Sequence, residues 1–152
     1  MEVEEITKYF GKTAKECKGF DLSKLKLPSG EYTAYTEYKK EGYSLAFTDE
    51  AMFLKNDTPL RKGELYLSAA FFYKDKVDKY KQYKGKLPFN LDFSMDYKEV
   101  VKVLNQEDFK RQRADKKVAM ARWDSLASYI VFISFNKEDE TINYLQLNVR
   151  VD

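Results

Sequence analysis

At 152 residues the chain is long enough to bury a core as a single domain, and its 16% aromatic content sets it apart from disordered chains. Its 27 basic and 25 acidic side chains leave a net charge of +2, too even a balance for a protein that holds nucleic acid by charge alone. The absence of histidine excludes Ser-His-Asp and Cys-His nucleophiles and His-ligated metals. A lone cysteine, Cys17, excludes an intramolecular disulfide, a four-cysteine zinc site and an iron–sulfur cluster, and fits a reducing compartment.

Residues 1–20 begin acidic and hold no apolar run of the kind that marks a secretory signal. Val3, Ile6, Phe10, Ala14 and Cys17 step by three or four, so the spacing predicts an amphipathic helix over 2–17, weakened by Gly11. Residues 21–30 read as a loop closed by Pro28-Ser29-Gly30. Strands are then expected at 31–38 and 43–48, joined by the turn Lys39-Lys40-Glu41-Gly42. Tyr43, Leu45 and Phe47 share a face. Residues 51–55 read as a brief extra strand and 56–63 as a loop. Residues 64–73 form the longest apolar strand, with Leu65, Leu67, Ala69 and Phe71 expected on one side.

A charged connector, 74–86, divides the chain into halves of about 1–73 and 87–152 within one domain, 1–152. Asp96 and Glu99 match a capping box, and Tyr97, Val100, Val101 and Leu104 carry helical spacing, so a helix is predicted over 96–105. Residues 106–117 read as a polar connector. Strands follow at 118–123, 128–135 and 142–149, with a turn at 136–141. No apolar stretch approaches the roughly 18 residues of a membrane span. The order implies an α+β fold: a single antiparallel, twisted sheet of about six or seven strands, in an αβββ-αβββ pseudo-repeat. Two principal helices would cover one face, leaving the other partly solvated for a partner.

One constellation spans 83–147: Tyr83, Gly85, Leu87-Pro88, Leu91 and Phe93, then the helix with Val100 and Leu104, then Trp123-Asp124 and two strands. It resembles the second half of bacterial immunity proteins from polymorphic or contact-dependent toxin systems. The helix-plus-strands repeat is similar to the fold of the β-lactamase inhibitor protein and of small outer-membrane assembly lipoproteins. The similarity covers about 80–150. The Gly-x-Pro that commonly closes such a helix is replaced by Leu104-Asn105-Gln106-Glu107, and a lipidated cysteine is missing, so only the fold carries over from the lipoproteins. The resemblance implies a non-catalytic, cytoplasmic protein that binds and blocks a cognate toxin, such as a nuclease or another effector domain acting in the cytoplasm.

Interface cores favour tyrosine, tryptophan and arginine. The candidate contact residues are therefore Tyr35, Tyr43, Tyr66, Tyr80, Tyr83 and Trp123, with Asp124 and the acidic turn Glu138, Asp139 and Glu140. Some of these aromatics must also serve the core. The basic runs at 74–86 and 110–117 support an alternative, a nucleic-acid-associated accessory domain, although Asp75 and Asp78 dilute the first run. A third reading is an oligomerising domain. Asp92, Asp96 and Glu99 are near neighbours, but the last two already have a capping role. There is no Gly-rich phosphate loop and no G-x-S-x-G, so no enzyme, cofactor or metal is expected.

Overall fold

A computed structural model describes residues 1–25, 31–53 and 64–150 of the protein. The Pro28-Ser29-Gly30 turn, residues 54–55 and the 56–63 loop fall outside that set. The described residues form helices α1 (Val3–Thr7), α2 (Glu50–Phe53) and α3 (Tyr97–Leu104). The strands are β1 (Thr33–Tyr38), β2 (Tyr43–Asp49), β3 (Leu65–Tyr73), β4 (Phe109–Gln112), β5 (Val118–Trp123), β6 (Tyr129–Phe135) and β7 (Ile142–Val149).

All seven strands join one antiparallel sheet in the order β1-β2-β3-β7-β6-β5-β4. Each half forms its own meander, and the chain's last strand closes against β3. The β3–β7 pairing is therefore the seam between the halves, and the sheet is continuous. Its two ends are β1 and β4.

Three expectations are corrected. The helix expected over 2–17 stops at Thr7, and the chain re-forms only a 3-10 turn at Ala14–Glu16. Gly11 has φ +79, a left-handed conformation that interrupts the helical run. From there the chain joins β3 instead: Gly11 N–H donates to the Leu67 carbonyl and Leu67 N–H to the Lys12 carbonyl, both at 2.9 Å. Where 51–55 reads as a strand, Glu50–Phe53 is a helical turn. The third correction lies in the polar connector. Phe109–Gln112 is a strand despite its sequence FKRQ, because β5 supplies hydrogen-bonding partners that outweigh local preference.

The core follows the two-residue period of the strands. Tyr43, Leu45, Phe47, Leu67, Ala70, Phe72, Ala121, Trp123, Val131, Ile133, Leu145 and Leu147 form one buried cluster on the inner face. Val3 and Ile6 of α1 and Val100 and Leu104 of α3 belong to the same cluster. Burying each large side chain of this kind contributes roughly 1.5–3 kcal/mol. β3 departs from simple alternation. Ala46 faces Ala69 and Phe47 faces Leu67, so Ser68 is an extra residue in a bulge. The bulge turns Ala70 and Phe72 inward and Ala69 and Phe71 outward, which reverses the expected direction of Ala69 and Phe71.

Gly42 closes the β1–β2 hairpin with φ +85. A Cβ there would lie 2.3 Å from the Tyr83 backbone nitrogen, so only glycine fits. Past β3 the connector makes a tight turn at Val77–Lys79, with Asp78 and Lys79 at positive φ, and then runs along the hairpin end. Tyr83 N–H donates to the Tyr73 carbonyl and Lys81 N–H to the Lys39 carbonyl. At α3, the Asp96 carboxylate accepts from Glu99 N–H at 2.9 Å and Glu99 accepts from Asp96 N–H at 3.2 Å, the capping box read from the sequence. Cys17 is buried, and burial, with Glu16 nearby, pushes its thiol up to about 11.

Candidate functional site

The outer face of the sheet is the surface the fold leaves in contact with solvent. Alternation sends every second strand residue there, and the register aligns them in rows. One row runs Glu37, Ser44, Phe71, Gln146, Phe132, Arg122 and Phe109, from β1 to β4. The row on one side of it holds Tyr35, Ala46, Ala69, Asn148 and Ile130, and the row on the other side holds Tyr73, Tyr144, Ser134, Met120 and Arg111. Most of these residues are half-buried; Tyr35 is 56% exposed and Phe109 46%.

The aromatic rings form a connected patch. Phe71 lies 6.4 Å from Tyr35, 6.3 Å from Tyr144 and 6.3 Å from Tyr73, between ring centroids. Beside it, Ala46 and Ala69 form the floor of a shallow groove of about 290 Å³, with Tyr35, Phe53 and Phe71 along its sides. The polar atoms here are held by neighbours. Thr48 Oγ1 donates to Ser68 Oγ at 2.7 Å, and Ser68 donates to the Ala46 carbonyl at 3.1 Å. Gln146 Nε2 donates to Asn148 Oδ1 at 2.8 Å. At the β4 end, Arg122 donates to both carboxylate oxygens of Asp124, at 2.8 and 3.3 Å, and its guanidinium lies 5.2 Å from the Phe109 ring. A face of fixed aromatics and amides with an oriented arginine can bury area at little ordering cost.

The candidates named from the sequence scatter over the molecule. Tyr35 lies on the outer face and is exposed. Tyr43 and Tyr83 are inside the inner core, 6.2 Å apart and edge to face. Burial pushes the Tyr43 hydroxyl up to about 12 and the Tyr83 hydroxyl well above its ordinary range. Tyr83 O–H donates to the Met1 carbonyl, and Gly85 lies against the Tyr83 ring, where a Cβ would not fit. That contact gives the Y-x-G spacing a packing reason. Trp123 is 2% exposed, and its indole N–H donates to the Asn105 carbonyl at 3.0 Å.

Tyr80 is also buried. It stacks on Tyr73 at 3.8 Å and donates to Glu37 Oε2 at 3.0 Å. Burial raises its hydroxyl strongly. Tyr66 stacks on Phe53 at 4.7 Å and donates weakly to Glu50 at 3.4 Å. Of the four buried aromatics, Tyr43, Tyr83 and Trp123 are thus inner-core residues, and Tyr80 is buried against Tyr73. Those the sequence reading left unnamed, Phe71, Phe132, Tyr144 and Arg122, share the outer face with Tyr35. The alternation within strands already identified is the signal that picks out Phe132.

Asp124, Asp139, Glu140 and Asp92 are occupied locally. Asp124 holds Arg122, and its N–H donates to Asp108 Oδ2 at 2.7 Å. Asp139 accepts from Lys74 at 2.9 Å and from Thr141, which together hold its carboxyl down to about 2. Glu140 pairs with Lys117 at 3.3 Å. Glu138 is exposed at the turn, where its N–H donates to Asn136 Oδ1. Asp92 accepts from the Ser94 hydroxyl at 2.6 Å and from Ser94 N–H at 2.8 Å, local turn contacts that lower its carboxyl's range. Among the described residues, no group of three or more His, Cys, Asp or Glu side chains could hold a metal ion. Among them also, no helix is long and apolar enough to cross a membrane.

The basic runs come together at one end of the sheet. Lys74 binds Asp139 and Lys117 binds Glu140, so both runs anchor to the 136–141 turn. Lys81, Lys84 and Lys86 line a groove of about 650 Å³ that also includes Asp75 and Asp92. In comparisons with known proteins, no family model, no curated protein and no solved structure matches the chain.

Proposed function

We propose that the chain is a non-catalytic, cytoplasmic immunity protein that binds and blocks a cognate toxin domain, and that the outer sheet face is its contact surface. The observation that carries this reading is the connected patch of Tyr35, Phe71 and Tyr144, continued by Phe132, Arg122 and Phe109 across the strand register. Aromatics and arginine are the residue types that dominate protein interface energetics. In this reading α1 and α3 cover the opposite face, and the two halves keep the helix-before-strands order of a pseudo-repeat. Tyr35 and Asp124 are the contact residues retained from the sequence candidates, Asp124 in an oriented charge pair with Arg122 at the rim.

The test is capture of partners by the tagged chain from its native cell, with and without nuclease. The expected result is one stoichiometric protein partner that survives nuclease, is toxic when expressed alone, and is tolerated when the chain is co-expressed. Tyr35→Ser would weaken both capture and protection. Partners that vanish on nuclease treatment, or a partner without toxicity, would overturn the reading.

The alternative is a nucleic-acid-associated domain using 74–86 and 110–117. Its support is the meeting of both runs at the 136–141 turn. Asp139 and Glu140 neutralise part of that end, which is why the outer face is preferred. Nucleic-acid binding through the runs would weaken steeply with salt.

A further inference from the structure

β4 is the end strand of the sheet: it pairs with β5, and no strand lies on its other side among the described residues. All four of its residues are exposed. The unpaired side of an antiparallel edge strand presents backbone N–H and C=O groups that an extended peptide can pair with. We infer that β4 is a docking edge for an extended acidic segment of a partner protein, which adds to the sheet as an eighth strand. This inference goes beyond the outer-face reading and does not depend on the partner being a toxin.

The side chains next to the edge select the charge. Alternation puts Phe109 and Arg111 on the outer side of β4 and Lys110 and Gln112 on the inner side. On the inner side a groove of about 410 Å³ separates β4 from the start of α3 and the 136–141 turn. Lys98, Lys110, Lys116 and Lys117 line it. Its carboxylates are already engaged: Asp96 caps α3, Asp139 holds Lys74, and Glu140 holds Lys117. Lys110 has, among the described residues, only Glu107 as a carboxylate contact, at 3.8 Å, and its ammonium lies 5.7 Å from the Tyr97 ring. Among the described residues no carboxylate forms an ion pair with Lys98, Arg111 or Lys116. An added strand would therefore place one set of alternate side chains in a cationic groove and the other set beside Phe109. Carboxylates fit the first set and apolar side chains the second.

A second copy is the other natural occupant of an open edge, and the charges oppose it. Antiparallel pairing of β4 with itself, centred on Lys110 or on Arg111, would set that cation against its own copy, and like charges facing each other across strands are destabilising. The shortness of β4 and the register shift between Arg111 and Gln112 guard the edge in the same way. An acidic strand turns the charge part of this guard into attraction.

The test uses a capped ten-residue peptide of alternating Glu and Val. Two companions carry N-methyl groups on the odd or on the even residues, which keeps the charge and removes the N–H donors of one edge. Binding is followed by titration calorimetry and by amide shifts of the ¹⁵N-labelled full chain. The expected result is saturable binding with shifts centred on Phe109–Gln112. One methylated companion loses about tenfold or more in affinity and the other binds as the parent does. Arg111→Glu and Lys116→Glu, both at exposed sites, each weaken the parent peptide severalfold while leaving the amide spectrum folded. Equal binding by all three peptides would reduce the site to charge alone and overturn the inference. So would a lack of saturation, shifts confined to the outer-face strands, or displacement of the peptide by a ten-nucleotide oligothymidylate of equal affinity.

Discussion

The two faces of one sheet use the same aromatic residue types to opposite ends. On the inner face Tyr43, Phe72, Tyr83 and Trp123 are sealed, and the Tyr83 hydroxyl and the Trp123 indole donate to the Met1 and Asn105 carbonyls. On the outer face Tyr35, Phe71, Phe132 and Tyr144 keep part of each ring in water. Aromatic content alone therefore says little about a binding role. What separates the faces is cover: the inner rings lie in one cluster with Val3, Ile6, Val100 and Leu104, and the outer rings lie outside that cluster.

Substitutions can break or sharpen this contrast. The largest effect is expected at Trp123→Ala, which empties a fully buried site and should cost about 3–5 kcal/mol in urea unfolding. A cost near that of a surface change would mean the inner face is not the core. Gly42→Ala comes next. It forces a positive φ on alanine and drives its Cβ into the Tyr83 backbone, where the connector passes from Tyr80 on the outer side to Tyr83 on the inner side. A loss of about 1–3 kcal/mol is expected, measured the same way. Asp96→Ala removes the cap of α3 and should cost about 1 kcal/mol, while Asp96→Ser should restore most of it.

The smallest effect lies at the rim between the faces. Lys74 and Thr141 hold the Asp139 carboxyl at about 2, below its ordinary 3.8. A carboxylate held down in the folded state adds stability that is complete above its ordinary value and is lost as pH falls through the folded one. Unfolding measured between about pH 4 and pH 2 should therefore be slightly steeper for the native chain than for Asp139→Asn. The difference stays small because Asp139 is exposed and its pair is screened by water.

The strands and α3 were legible because their signals are local. Val131, Ile133 and Phe135 alternate within β6, and Asp96 and Glu99 cap α3 through residues three apart. The hairpin turn at residues 39–42 was legible for the same reason. Other features depend on contacts made far along the chain. The helix read over 2–17 ends at Thr7, and from Gly11 the chain pairs with Leu67 of β3 instead. β4 exists through β5, and its own sequence, with two cations in four residues, reads as a connector. The outer patch was hidden by the Ser68 bulge, which swaps the facing of Ala69 and Phe71 against Ala70 and Phe72. The candidate tyrosines misled for a related reason. Tyr80 and Tyr83 lie in a lysine-rich connector that reads as solvated, yet distant groups, Glu37 and the Met1 carbonyl, accept their hydroxyls.

The most direct test of the outer face as a contact surface is a paired measurement on Tyr35→Ser. The captured partner is titrated with the native chain and the variant, and both chains are unfolded in urea under the same conditions. The expected result is an affinity loss of about tenfold or more, with folding stability changed by no more than about 0.5 kcal/mol. An unchanged affinity at unchanged stability would contradict the outer-face assignment.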